Sequence, residues 1–192
     1  MKGIRLMRIA ALALPAALAA QQPAAPSASP MTAAYAGFHT RYGGNLMAAF
    51  DSIPASKYGY KPTPAQRTFG DVAAHLETAN YGLCASFSGM PRMMTARDST
   101  ADSVRGTWPK DTLTARLKAS FAFCDKAFAT LDDAKLADQV PIGAPGSGRT
   151  AVRGSRVLIY AGDLVDHYSQ IAIYMRLNGM LPPSALPRPA AR

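Results

Sequence analysis

The chain has 192 residues, carries 21 Lys and Arg against 12 Asp and Glu, and has a formal net charge of +9. That length predicts one domain and would leave two cramped. Nowhere do five basic residues run together and no aromatic–basic alternation occurs, which excludes a nucleic-acid-binding arm and leaves the surplus charge as a solvated surface.

In chain order, "MKGIRLMR" reads as a basic leader region, "IAALALPAALAA" as an apolar segment and "ALAAQQ" as a small-residue cleavage site near Ala19 or Ala20. Residues 1–20 therefore predict a secretory signal peptide, and an exported, periplasmic or secreted product. The segment is too short to span a bilayer, so no stable membrane insertion is expected after processing. Lys2, Arg5 and Arg8 of the leader carry three of the nine charges and leave six on the mature chain. Residues 21–31 form a Pro/Ala/Ser linker that cannot build a core.

Four stretches with helical spacing follow. The first covers 32–53, with Tyr35, Phe38, Tyr42, Leu46, Ala49 and Ile53 on one face, and stops at the prolines of 54–64. The second starts at Thr68, which with Asp71 predicts a capping box, and carries Val72, His75, Leu76, Ala79, Leu83 and Phe87 on one stripe. A polar connection over 95–107 leads to the third, 110–131, with Leu113, Leu117, Phe121, Cys124 and Phe128 aligned. After a Gly/Pro-rich loop over 137–150, where a short hairpin is the only sheet expected, the fourth runs from Thr150 to Leu177. Asn178-Gly179 predicts its cap, and Pro182-Pro183 prevents it from resuming. The fold class is all-α: a four-helix bundle over 32–185, its long helices antiparallel although the connections allow other topologies, with a tail over 186–192.

The fourth helix raises the functional question, because its inward side is polar. Asp163, His167, Gln170, Tyr160 and Tyr174 share one face at spacings of three, four and seven. His75 lies on the inward stripe of the second helix, so His75, Asp163 and His167 can converge. Two imidazoles and a carboxylate suit a divalent transition metal (Zn, Ni, Mn or Fe), and three protein ligands leave a position open for water or substrate. The bland reading of the same spacing is a charged hydrogen bond between core side chains. Tyr160 and Tyr174 either face substrate or are core aromatics with a hydroxyl partner. Asp166 either orients a ligand or is solvated. His39, near the inward edge of the first helix, reads as a packed or surface histidine, with a fourth ligand as the alternative, and Arg176, half a turn from His167, as no part of the site.

"KYGYKPTPAQRTFGDVAAHLETANYGLC", 57–84, and "HYSQIAIYMRLNGMLPPSA", 167–185, together resemble the DinB-like superfamily of metal-binding four-helix bundles. The resemblance covers roughly 35–185. It implies a ligand set of one histidine on the second helix and a His-x-x-x-His pair on the fourth. His75 and His167 match two of these, while Asp163 stands where the family has its middle histidine. The family includes thiol-dependent transferases and isomerases, so the resemblance implies a metal-dependent hydrolase- or transferase-type enzyme acting on an unknown small molecule. The alternative is a non-catalytic envelope scaffold with a degenerate site, and a homodimer is a further expectation.

Cys84 and Cys124 are the only cysteines, each on a predicted helix. In an exported chain they predict a disulfide between the second and third helices. Two buried free thiols are the alternative. Cys84 lies half a turn from His75, which argues against a ligand role.

Overall fold

The structure is a computed structural model that describes residues 28–93, 99–144 and 146–187. The segment expected to be a signal peptide, the expected linker up to residue 27 and the tail beyond 187 lie outside the described residues. Helix α1 (Pro30–Phe38) begins on a proline, whose fixed φ suits the first helical position. It continues through a π-helical turn (His39–Gly43) into α2 (Gly44–Ser52). The chain turns extended at Ile53, before Pro54, because proline disfavours a helical residue ahead of it.

The π turn changes the phase of this first long helix. The predicted stripe put Phe38 inward with His39 at its edge, yet Phe38 is 45% exposed and His39 is the buried one. A wider turn adds one residue to the repeat, so a single helical period cannot describe both halves. His39 is a packed histidine: Nδ1 lies 2.7 Å from the Tyr160 hydroxyl, and Nε2 lies 2.7 Å from Asp125 Oδ1.

Helix α3 (Phe69–Ser88) has the predicted capping box, with Thr68 and Asp71 bonded reciprocally at 3.0 Å, and ends at Gly89 in the left-handed region. A one-turn helix, α4 (Asp102–Arg105), precedes α5 (Lys110–Phe128). Strands β1 (Gln139–Pro141) and β2 (Thr150–Val152) make one antiparallel hairpin, pairing Val140 with Ala151. Helix α6 (Arg153–Leu177) starts three residues later than expected because 150–152 pairs in that hairpin. It closes in a Schellman arrangement: Met180 N–H donates to Met175 C=O and Gly179 N–H to Arg176 C=O.

The helices form a four-helix bundle, α1–α2, α3, α5 and α6, but not one in which every neighbour is antiparallel. Glu77 meets Arg116, Asn80 meets Ser120, and Cys84 bridges Cys124, so α3 and α5 run parallel. His75 meets His167 while Ser86 meets Arg156, so α3 and α6 run antiparallel. A parallel pair of consecutive helices needs a crossover as long as a helix. The connection between α3 and α5 supplies it, and its described end lays α4 against the first half of α3. Leu46, Phe50, Leu76, Leu113, Leu117, Val157, Leu164 and Ile171 are fully or almost fully buried in the core. Cys84 and Cys124 join in a disulfide within it, their Cα atoms 5.4 Å apart. No helix among the described residues is long and apolar enough to cross a membrane.

Candidate metal centre

His75 on α3 and Asp163 and His167 on α6 come together as their spacing predicted. Their ligating atoms all lie within 4.8 Å of one another. His167 Nε2 is 3.5 Å and His75 Nε2 is 3.9 Å from Asp163 Oδ1, and the two imidazole centroids are 4.9 Å apart. These separations are too long for good hydrogen bonds. They suit ligands around one ion: two atoms about 2.1 Å from a common centre at the tetrahedral angle stand about 3.4 Å apart.

The outer partners decide which nitrogen each ring presents. His75 Nδ1 donates to Asp102 Oδ2 at 3.2 Å, and His167 Nδ1 donates to Gln170 Oε1 at 3.0 Å. Gln170 Nε2 in turn donates to the Tyr174 hydroxyl at 2.9 Å. With its proton on Nδ1, a neutral imidazole leaves a lone pair on Nε2. Two such lone pairs and a carboxylate therefore face one another, three acceptors without a donor. Asp163 Oδ2 is also buried with no hydrogen-bond partner. Such a cluster repels itself unless a proton or a cation enters it, so the residues present fit a divalent metal.

Without metal, protons fill that role. Burial pushes the Asp163 carboxyl up, but interactions with His167 and His75 outweigh it and hold the carboxyl well below its ordinary value of 3.8. Burial pushes His167 down, but Asp163, then Gln170 and Asp166, outweigh it and raise His167 above 6.5. The Asp163 contribution to stability is present above pH 3.8 and is lost as pH falls through its depressed value. The His167 contribution is complete below pH 6.5 and is lost as pH rises through its raised value. Chelated protein should thus gain most from the pair between pH 3.8 and 6.5, with Tm falling on the alkaline side. Asp163→Asn should flatten that alkaline fall, and an unchanged Tm–pH profile would reject the coupling.

His167 opens onto a cleft of about 700 Å³ between α6 and the loop before α3. Pro62, Gln66 and Arg67 line one side, and Gln170, Ile173 and Tyr174 the other. Asp166 is exposed on its rim, where its charge acts on His167 without contacting the other ligands. Tyr174 acts through Gln170. Tyr160 does not line the cleft; it is fully buried and its hydroxyl engages His39, which corrects the substrate-facing alternative. Arg176 is exposed on the far side of α6, as expected. Asp102 was not singled out in the sequence, because the periodicity of α3 says nothing about which residue of a polar connection will reach His75.

The DinB superfamily profile matches residues 38–171. The chain belongs to the DinB superfamily. Its fold is similar to that of a DinB-like protein from Bacillus cereus, with a TM-score of 0.60 at 18% identity, covering 79% of this chain and 95% of that one. A conserved protein from Enterococcus faecalis gives a TM-score of 0.58 at 13% identity, over 76% and 95% of the two chains. A mycothiol-dependent maleylpyruvate isomerase gives 0.53 at 16% identity, over 71% of this chain but 58% of that longer one. At these identities the structural likenesses speak to the DinB fold alone. The sequence matches no curated protein.

Proposed function

We propose that this DinB-superfamily chain is a divalent-metal-dependent enzyme of the hydrolase or transferase type, acting on a small molecule bound in the cleft beside His167. The observation that carries the reading is the convergence of His75 Nε2, His167 Nε2 and Asp163 with both Nδ1 atoms already satisfied elsewhere. A transition metal held there would supply a Lewis acid and lower the pKa of a bound water or thiol. His75, Asp163 and His167 would hold it, leaving a position free for substrate. Gln170 and Tyr174 fix the ring of His167, and the α6 wall of the cleft, with Ile173 on it, offers an apolar surface to the substrate. The apolar leader with its basic flank supports export, which would place the activity outside the cytoplasm.

Metal analysis of protein purified without chelator and without a nickel affinity step tests this directly. About one equivalent of Zn, Ni, Mn or Fe per chain is expected. Metal-free protein whose Tm does not respond to any of these ions would leave the bundle as a non-catalytic scaffold.

A further inference from the structure

Among the described residues of the connection between α3 and α5 none belongs to the candidate ligand set, yet α4 is held firmly against α3 beside the site. Arg105 on α4 is 1% exposed although it carries a permanent charge. Its Nη1 donates to Glu77 Oε2 at 3.0 Å, and its Nη2 donates to the Ala74 carbonyl at 2.7 Å, to Thr78 Oγ1 and to Asp102 Oδ1 at 2.9 Å. Glu77 is itself buried and accepts a second guanidinium, Arg116 from α5, at 2.6 Å. Burying so many charges costs free energy unless each is paired, and a hydrophobic replacement would often serve stability as well. A network of this kind asks for a reason other than stability.

The geometry of Asp102 supplies one. Arg105 holds Oδ1 of that carboxylate, and His75 donates to Oδ2. The carboxylate is thus clamped between a buried arginine and a predicted ligand. A second, independent feature holds the same segment. A methyl group on Gly70, in the first turn of α3, would lie 2.0 Å from the Gly106 carbonyl oxygen, and one on Gly106 would lie 2.6 Å from the Asp71 backbone nitrogen. Only glycine at both positions lets the end of α4 touch the backbone of α3.

We propose that α4 is a positioning clamp for the metal centre: Arg105, seated by Glu77 and by the Gly70–Gly106 contact, holds Asp102 against His75 Nδ1. This rests on the metal-site reading above. Asp102 fixes the ring orientation of His75 and keeps its proton on Nδ1, so that Nε2 points at Asp163 as a lone pair. Arg105 acts one step further out, through Asp102. The clamp matters because His75 is the one ligand that α6 does not supply. Asp163 and His167 share a helix and stay in register whatever the crossover does, whereas His75 must be aimed from across the interface.

The test is a Zn²⁺ titration of the full chain in wild-type, Asp102→Ala, Asp102→Asn, Arg105→Gln and Gly106→Ala forms. The ¹⁵N shifts of the His75 ring are recorded with and without metal, and far-ultraviolet spectra monitor folding. Asp102→Ala should weaken Zn²⁺ binding 10- to 100-fold, the range of outer-partner losses at metal histidines, and should move the His75 proton off Nδ1. Asp102→Asn should restore part of the loss, because its amide oxygen still accepts from Nδ1. Arg105→Gln and Gly106→Ala should reproduce the Asp102→Ala phenotype to the extent that they fold. Folded Asp102→Ala with wild-type Zn²⁺ affinity and an unmoved His75 tautomer would overturn the clamp while leaving the metal site standing. Wild type that binds no Zn²⁺ would overturn the metal reading instead, and the tautomer of His75 in Asp102→Ala would still decide the clamp.

Discussion

His167→Ala is expected to remove most of the thermal stabilisation that a divalent metal gives the wild-type chain. Metal at about 1,000 times its dissociation constant adds about 4 kcal/mol to the folded state. For a chain of this size that is a rise in Tm of roughly 8–16 °C. His167 supplies one of three ligands, and its neighbour on the same face, Asp163, stands 3.5 Å away. Removing the imidazole should lower affinity roughly a hundred- to a thousand-fold, about a third of a binding free energy on the order of 10 kcal/mol. Asp163→Asn should reduce the response without abolishing it, since the amide keeps an oxygen ligand but loses the charge that offsets the cation. Tyr160→Phe is the internal control: its hydroxyl serves His39 and not the cleft, so the metal response should persist. Differential scanning calorimetry with and without metal reads all four proteins. Undiminished stabilisation of His167→Ala would remove this residue from the site.

Loss of the Cys84–Cys124 bridge should have a comparable effect by a different route. The bridge closes a loop of 40 residues in sequence. In the chain-entropy treatment this restricts the unfolded state enough to stabilise the fold by about 4 kcal/mol. The double variant Cys84→Ala/Cys124→Ala, or the reduced protein, should therefore melt roughly 8–16 °C lower. Both cysteines are fully buried between α3 and α5, so two small cavities would add to the loss. The metal response should survive, because the bridge lies more than two helical turns along α3 from His75. Denatured, unreduced protein should show no titratable thiol. Two thiols per chain, or a Tm indifferent to reductant, would dispose of the bridge.

Much of this molecule was legible as sequence because its information is local. Thr68 and Asp71 mark a helix start by bonding across a single turn, and Asn178-Gly179 marks an end in the same way. The placement of Asp163, His167, Gln170 and Tyr174 on one face follows from helical spacing alone, and the His167–Gln170–Tyr174 chain of hydrogen bonds is its direct product. The resemblance of 57–84 and 167–185 to the DinB superfamily added which helix faces which. That is why His75 could be paired with residues nearly a hundred positions away.

What only the tertiary structure decided lies where contacts are distant in sequence or where the helical period fails. The π turn at His39–Gly43 leaves Phe38 outside and His39 inside, a change of phase that a single helical period over the whole helix does not contain. The parallel course of α3 and α5 shows only in the pairing of Glu77 with Arg116, Asn80 with Ser120 and Cys84 with Cys124, because the connection between them carries no hydrophobic pattern of its own. The docking of α4 brings Asp102 to His75 and buries Arg105 against Glu77. A charged residue in a polar connection looks solvated in sequence, since its burial is decided by partners that only the packed helices provide. Spacing within one helix thus placed Asp163, His167, Gln170 and Tyr174, the resemblance paired them with His75, and only the packing of α4 against α3 supplied Asp102 and Arg105.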